Sequence, residues 1–182
     1  MSGASPDRSE LLRAHVPTEL GQKIRAAAEK LAGERRHVTV LFADIAGFTS
    51  MAEQLDPEEV TELVNPCLAS LSESIYAYEG TVDKFIGDAV MAIFGAPLAH
   101  EDDPERALRA ALDMRARIEQ VNGELQAEGR KPLGLHIGVN SGMVVAGGVG
   151  SDLRMEYTVM GDTVNLASRL EGVATSGQIL GQ

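Results

Sequence analysis

The sequence predicts an α+β fold, a ferredoxin-like βαββαβ core with additional strands and a third helix. Three observations carry this expectation. Strand-like and helix-like stretches follow one another as β-α-β-β-α-β between residues 37 and 139. The two middle strands are separated only by Gly87-Asp88, a short-turn signal. Each of the two long helical stretches opens on an Asp-Pro pair, Asp56-Pro57 and Asp103-Pro104.

In chain order, residues 1–10 are rich in Ser, Gly, Pro and charge and read as a disordered start. Leu20, Ile24, Ala27, Ala28 and Leu31 recur at helical spacing, which predicts a helix over 18–32 ending near Gly33. The run HVTVLFADI (37–45) is β-branched, aromatic and mostly apolar, as in a strand buried on both faces. Asp56-Pro57-Glu58-Glu59 supplies an N-cap, a proline at the first helical position and a Glu at the third. That helix should run to about Tyr78, kinked by Pro66, and end at Glu79-Gly80. TVDKFIGDAVMAIF (81–94) reads as a β-hairpin. The helix from Asp103 should bury Ala107, Leu108, Ala111, Met114, Ile118, Val121 and Leu125. Leu133–Val139 and Met143–Val149 read as a fourth and a fifth strand. Gly161-Asp162 leads into a third helix with Val164, Leu166, Ala167 and Leu170 inward, and Ile179-Leu180 starts a further strand.

The 182 residues suffice for one core plus an extension, and 44% hydrophobic content excludes a disordered acidic tail. No apolar run approaches the ~18 residues of a membrane span. The first fifteen residues hold no apolar signal segment, and the single Cys67 cannot form an internal disulfide. These features predict a cytoplasmic protein. The charge is uneven. Residues 1–36 hold seven basic and five acidic side chains, whereas 37–182 hold nine and twenty-two. So acidic a body argues against nucleic acid as partner. It would bind an anion only through metal ions or a local cationic pocket.

The predicted topology places the first and third strands side by side and antiparallel at the sheet centre. Asp44, near the end of the first, should then face Asp88, at the start of the third. Two carboxylates brought together repel unless a cation sits between them, and hard oxygen donors suit Mg²⁺ or Mn²⁺. After Asp44, Gly47 permits close backbone approach, and free amides at a turn there can cradle phosphate oxygens. Lys84 stands in a largely apolar strand, where it either snorkels at an edge or points at a ligand. Asn165 and Arg169 are spaced i, i+4 and share one helix face. Arg offers a fixed cationic fork for phosphate and Asn both a donor and an acceptor for a sugar, the alternative being a solvated face.

Three stretches, VTVLFADIAGFTSM, VDKFIGDAVMAIFGAP and YTVMGDTVNLASRLE, resemble the signatures of class III nucleotidyl cyclases. The resemblance spans roughly residues 34–180. GERRHVTVLFADI and FGAPLAHEDDPERALRAAL are similar to a bacterial branch whose cyclase domain precedes an ATPase and helical-repeat module. On this resemblance, residues 1–34 are a disordered start and a linker or signalling helix. Residues 35–182 are a catalytic domain ending before the helix, strands and basic loop with which relatives continue.

The family's domain works as a head-to-tail homodimer with each site shared between subunits. The resemblance implies that Asp44 and Asp88, with the carbonyl of Ile45, bind two Mg²⁺ or Mn²⁺ ions. Gly47, Phe48 and Thr49 would form the turn that contacts phosphates. From across the interface, Lys84 and Thr158 would read the purine, Asn165 would hold the ribose, and Arg169 would stabilise charge on the α-phosphate. The implied reaction converts ATP to 3′,5′-cyclic AMP and pyrophosphate, by attack of the ribose 3′-oxygen on the α-phosphorus. A Lys84 ammonium can donate to adenine N1 and the Thr158 hydroxyl can accept from the adenine amine, which favours ATP over GTP. Thr158 stands where many adenylate cyclases carry Asp and resembles the branch with bicarbonate-responsive members. Met143 stands where some relatives place a phosphate-binding arginine. The alternatives are a guanylate cyclase, disfavoured by Lys84, and a non-catalytic dimerisation or nucleotide-sensing module.

Overall fold

The computed structural model describes residues 16–30, 33–145 and 162–182. The expected disordered start at 1–10 lies outside them. Helix α1 (Thr18–Ala28) leads into strand β1 (Arg35–Ala46), the short helix α2 (Phe48–Ala52) and helix α3 (Pro57–Ala77). The hairpin β2 (Thr81–Ile86) and β3 (Ala89–Phe94) follows, then α4 (Asp103–Ala127), β4 (Gly134–Val145), α5 (Thr163–Val173) and β5 (Ile179–Gly181). The sheet order is β2-β3-β1-β4-β5. The first four strands pair antiparallel in the split βαβ arrangement, and β5 adds parallel to β4.

Alternation along β1 gives the sheet two different faces. Leu41, Ala43 and Ile45 join Leu71, Ile75, Ala107, Ala111 and Met114 of α3 and α4 in the main core, which also takes Leu20 and Ile24 of α1. Val38, Val40 and Phe42 point the other way, into a smaller cluster with Met91, Ile93 and Ala167 of α5. At the start of α3, the Asp56 amide donates to the Glu59 carboxylate at 3.2 Å, and Pro57 occupies the first turn. The helix is continuous through Pro66, whose ring is exposed, so the expected kink does not break it.

Two further expectations change. The fourth and fifth strands are one, because β1 is twelve residues long and pairs β4 without interruption from Arg35↔Val145 to Ala46↔Gly134. Residues 146–149 of the expected fifth strand lie outside the described residues. In α4 the buried stripe runs through Ala107, Ala110, Ala111, Met114, Ile118 and Leu125, while Leu108 is 44% exposed. Small alanines let α4 lie close to the sheet, and Leu108 falls one step round the helix from that seam. In α5, Thr163 and Ala167 are buried, whereas Leu166 and Leu170 are only half-buried.

Helix α5 is fastened to β4. The Asn140 side-chain amide donates to the Thr163 carbonyl at 2.9 Å, and the Thr163 hydroxyl donates to the Met143 carbonyl at 3.1 Å. A methyl group at Gly142 would meet Thr163 Oγ1 at 2.4 Å, and one at Gly138 would meet the Ala167 carbonyl oxygen and the Glu171 nitrogen at 2.3 Å. Both glycines are there for room. Gly138→Ala would push helix backbone off the strand, and overpacking of this kind costs about 1–3 kcal/mol. The expected lowering of the urea midpoint, with the slope unchanged, checks this.

Candidate active site

The end of β1 and the β2–β3 turn meet at one end of the sheet. Asp44 pairs Ala89 across the β1–β3 ladder, and the Ile45 amide donates to the Asp88 carbonyl at 3.2 Å. Gly87 adopts φ 59°, the left-handed geometry of a tight hairpin turn. Asp44 and Asp88 are both half-buried. Asp44 shares a strand face with Val40 and Phe42 and therefore lies on the α5 side of the sheet. The structure thus brings together two acids far apart in sequence, with the Ile45 backbone between them.

Beyond Asp44, Gly47 turns the chain with φ 90° into α2, and the Ser50 hydroxyl donates to the Gly47 carbonyl at 3.1 Å. The Phe48 ring is buried in the main core, so only the backbone of Phe48 is available to a ligand. The side chain of Thr49 lies outside the described residues. The opening amides of such a turn lack partners within their own helix.

Lys84 pairs Met91, which pairs Phe42, so Lys84 belongs to the same sheet face as Asp44. Its side chain is 49% exposed, and Nζ stands 3.6 Å from Asp83 Oδ2. Asn165 and Arg169 are both exposed. They sit on the side of α5 opposite Thr163 and Ala167 and point away from the sheet that carries Asp44. Thr158 lies outside the described residues.

Sequence reasoning missed one acid here. Glu171 follows Thr163 and Ala167 at four-residue spacing, half-buried on the sheet side of α5, and contacts Asp44. Burial, and then the Asp44 carboxylate, push its carboxyl up to about 7. The signal was available: an acid on the inward stripe of a helix needs a reason to be there. Raised above its unfolded value, this group stabilises the fold fully below about pH 4.5, and that contribution is lost as pH rises through about 7. Metal-free protein should therefore show a melting temperature that carries a declining component between about pH 4.5 and 7 and levels off above it, a component removed by Glu171→Gln.

Among the described residues no group of three or more His, Cys, Asp or Glu side chains is placed to hold a metal ion by itself. Two acids carried on neighbouring backbone at one end of the sheet, Asp44 and Asp88, still fit a divalent cation that brings further oxygens with it. Mg²⁺ in particular is commonly held by one or two carboxylates plus substrate phosphates. No helix among the described residues is long and apolar enough to cross a membrane.

The pattern of the adenylate and guanylate cyclase catalytic domain matches residues 32–180. The chain belongs to this cyclase family. It is 39% identical over 164 residues to adenylate cyclase 1 of Rhizobium meliloti, covering 87% of this chain and 24% of that protein. Adenylate cyclase of Anabaena cylindrica is 38% identical over 146 residues, 78% of this chain and 28% of its own. The chain thus spans about a quarter of the length of these curated relatives. Among solved structures, the adenylyl cyclase CyaB from P. aeruginosa superposes with a TM-score of 0.76 at 40% identity, covering 83% of this chain and 79% of that one. The guanylyl cyclase Cya2 follows at 0.73 and 40%, covering 81% and 75%. The α+β core and five-stranded sheet described above are those of a cyclase catalytic domain.

Proposed function

We propose that this chain is an adenylate cyclase catalytic domain, converting ATP to 3′,5′-cyclic AMP and pyrophosphate at sites shared across a head-to-tail homodimer. The observation that carries the reading is a division of labour. Asp44 and Asp88 gather at one end of the sheet, while Asn165 and Arg169 point away from that sheet on the far side of α5. A single chain holds two halves of a site facing different ways, and a two-fold axis reunites them.

In the complete site, Asp44, Asp88 and the Ile45 carbonyl would hold two Mg²⁺ or Mn²⁺ ions. Such ions neutralise the triphosphate and activate the attacking hydroxyl. The backbone of Gly47, Phe48 and Thr49 would bind phosphate oxygens. Across the interface Asn165 would fix the ribose, so that its 3′-oxygen lies in line with the bond to be broken. As the O3′–Pα bond forms and the bond from Pα to the pyrophosphate oxygen breaks, Arg169 would clamp the developing charge. Lys84, with Thr158, would select adenine through its N1 acceptor. Guanine carries a donor at that atom, which an ammonium cannot meet.

The two acids also reconcile the site with a body of −13 charge, since they attract the cations that accompany the nucleotide. We further assign residues 1–34 to a linker or signalling segment and 35–182 to the catalytic domain, in a cytoplasmic protein with a downstream regulatory or ATPase module. Incubation with Mn²⁺ and either ATP or GTP tests the function. Cyclic AMP should exceed cyclic GMP. Cyclic GMP in excess would establish the guanylate cyclase reading, and no product from either nucleotide would establish a non-catalytic module.

A further inference from the structure

We propose that Glu171 is a positioning residue of the metal site, an outer carboxylate on α5 that braces Asp44 and strengthens its hold on a divalent cation. The inference rests on the reading of Asp44 and Asp88 as the metal-binding pair. Its basis is the seam between α5 and β4. Thr163, Ala167 and Glu171 are spaced four apart and face the sheet. At Gly138 the helix lies so close that a single added carbon would meet the backbone of Ala167 and Glu171 at 2.3 Å. Gly138 pairs Phe42, and one same-face step along the ladder His136 pairs Asp44. The last turn of α5 is therefore held over Asp44, and the Glu171 and Asp44 carboxyl groups are in contact.

Among the described residues, nothing in the packing requires an acid at this position. An apolar side chain would fill the seam beside Ala167 without placing one carboxyl group against another. The arrangement makes sense if a cation occupies the site in the working enzyme. Glu171 then adds negative potential at Asp44 and limits how the Asp44 carboxylate can turn. Residues that support metal ligands in this way typically change metal affinity about 10–100-fold when replaced. Asn165 and Arg169 lie on the opposite side of α5, so a change at Glu171 leaves the outward face as it is.

The test is titration of the whole chain with Mn²⁺ alone, free ion being followed by electron paramagnetic resonance. Wild type, Glu171→Gln, Glu171→Asp and Asp44→Asn are compared, with the metal-free melting temperature of each. Glu171→Gln should raise the Kd for Mn²⁺ about tenfold without lowering the metal-free melting temperature, and Glu171→Asp should stay nearer wild type. If Asp44→Asn abolishes binding while Glu171→Gln binds as wild type does, this inference is overturned and the metal reading stands. If Glu171→Gln only lowers the melting temperature, Glu171 is structural and the inference is equally overturned. If wild type takes up no Mn²⁺, or Asp44→Asn binds it unchanged, the metal reading falls and the inference with it.

Discussion

Arg169→Ala is expected to lower kcat for cyclic AMP formation by about 10³-fold, the order seen when a cationic clamp on a transferring phosphoryl group is removed. KM for ATP should change far less, because in the proposed role the charge that Arg169 would meet develops only as the bond to pyrophosphate breaks. The fold should not register the change. Arg169 is exposed on the outward face of α5, and surface substitutions of this kind stay within about 0.5 kcal/mol. Steady-state kinetics beside a thermal melt checks both halves. A KM effect with kcat preserved would assign Arg169 to ground-state binding instead.

Asp44→Asn should be at least as damaging to activity, by about 10³-fold or more, for a different reason. On the proposed metal-binding role it would remove an anionic ligand from the end of β1, so the loss should be relieved only weakly by raising Mn²⁺ concentration. The same substitution should leave the metal-free protein as stable as wild type or more so. Glu171 loses the like-charged neighbour that helps hold its carboxyl near 7. A site that is awkward without its ligand and competent with it is a common compromise between stability and function. Activity and metal-free melting temperature, measured on one preparation, would show the two moving apart. A substantial fall in both would instead give Asp44 a structural role.

Much of this molecule is legible from its sequence, for reasons that can be named. The alternation in VTVLFADI and the Gly87-Asp88 turn are local signals. Together they imply that Asp44 and Asp88 meet, because a split βαβ sheet leaves them little other choice. What escaped depends on contacts between elements. Leu108 looks like a core residue until an alanine-lined seam draws α4 close to the sheet and leaves it outside. Gly142 looks like a break between two strands, yet it serves a continuous β4 by making room for Thr163. Glu171 looks like one more solvated acid until its helix is seen pinned over Asp44. Phe48, read as part of a phosphate-binding turn, buries its ring and leaves only its backbone for that task. The purine-reading role of Thr158 falls outside the described residues and rests on the family resemblance.

The central claim is that each active site joins Asp44 and Asp88 of one subunit to Asn165 and Arg169 of another. Mixing Asp44→Ala with Asn165→Ala chains tests it most directly. Each homodimer carries two broken sites, but a mixed dimer carries one intact site and one doubly broken site. With random pairing of equal amounts, cyclic AMP formation should recover to about a quarter of the wild-type rate. Mixed dimers that are demonstrably formed yet remain as inactive as either parent would contradict the shared site.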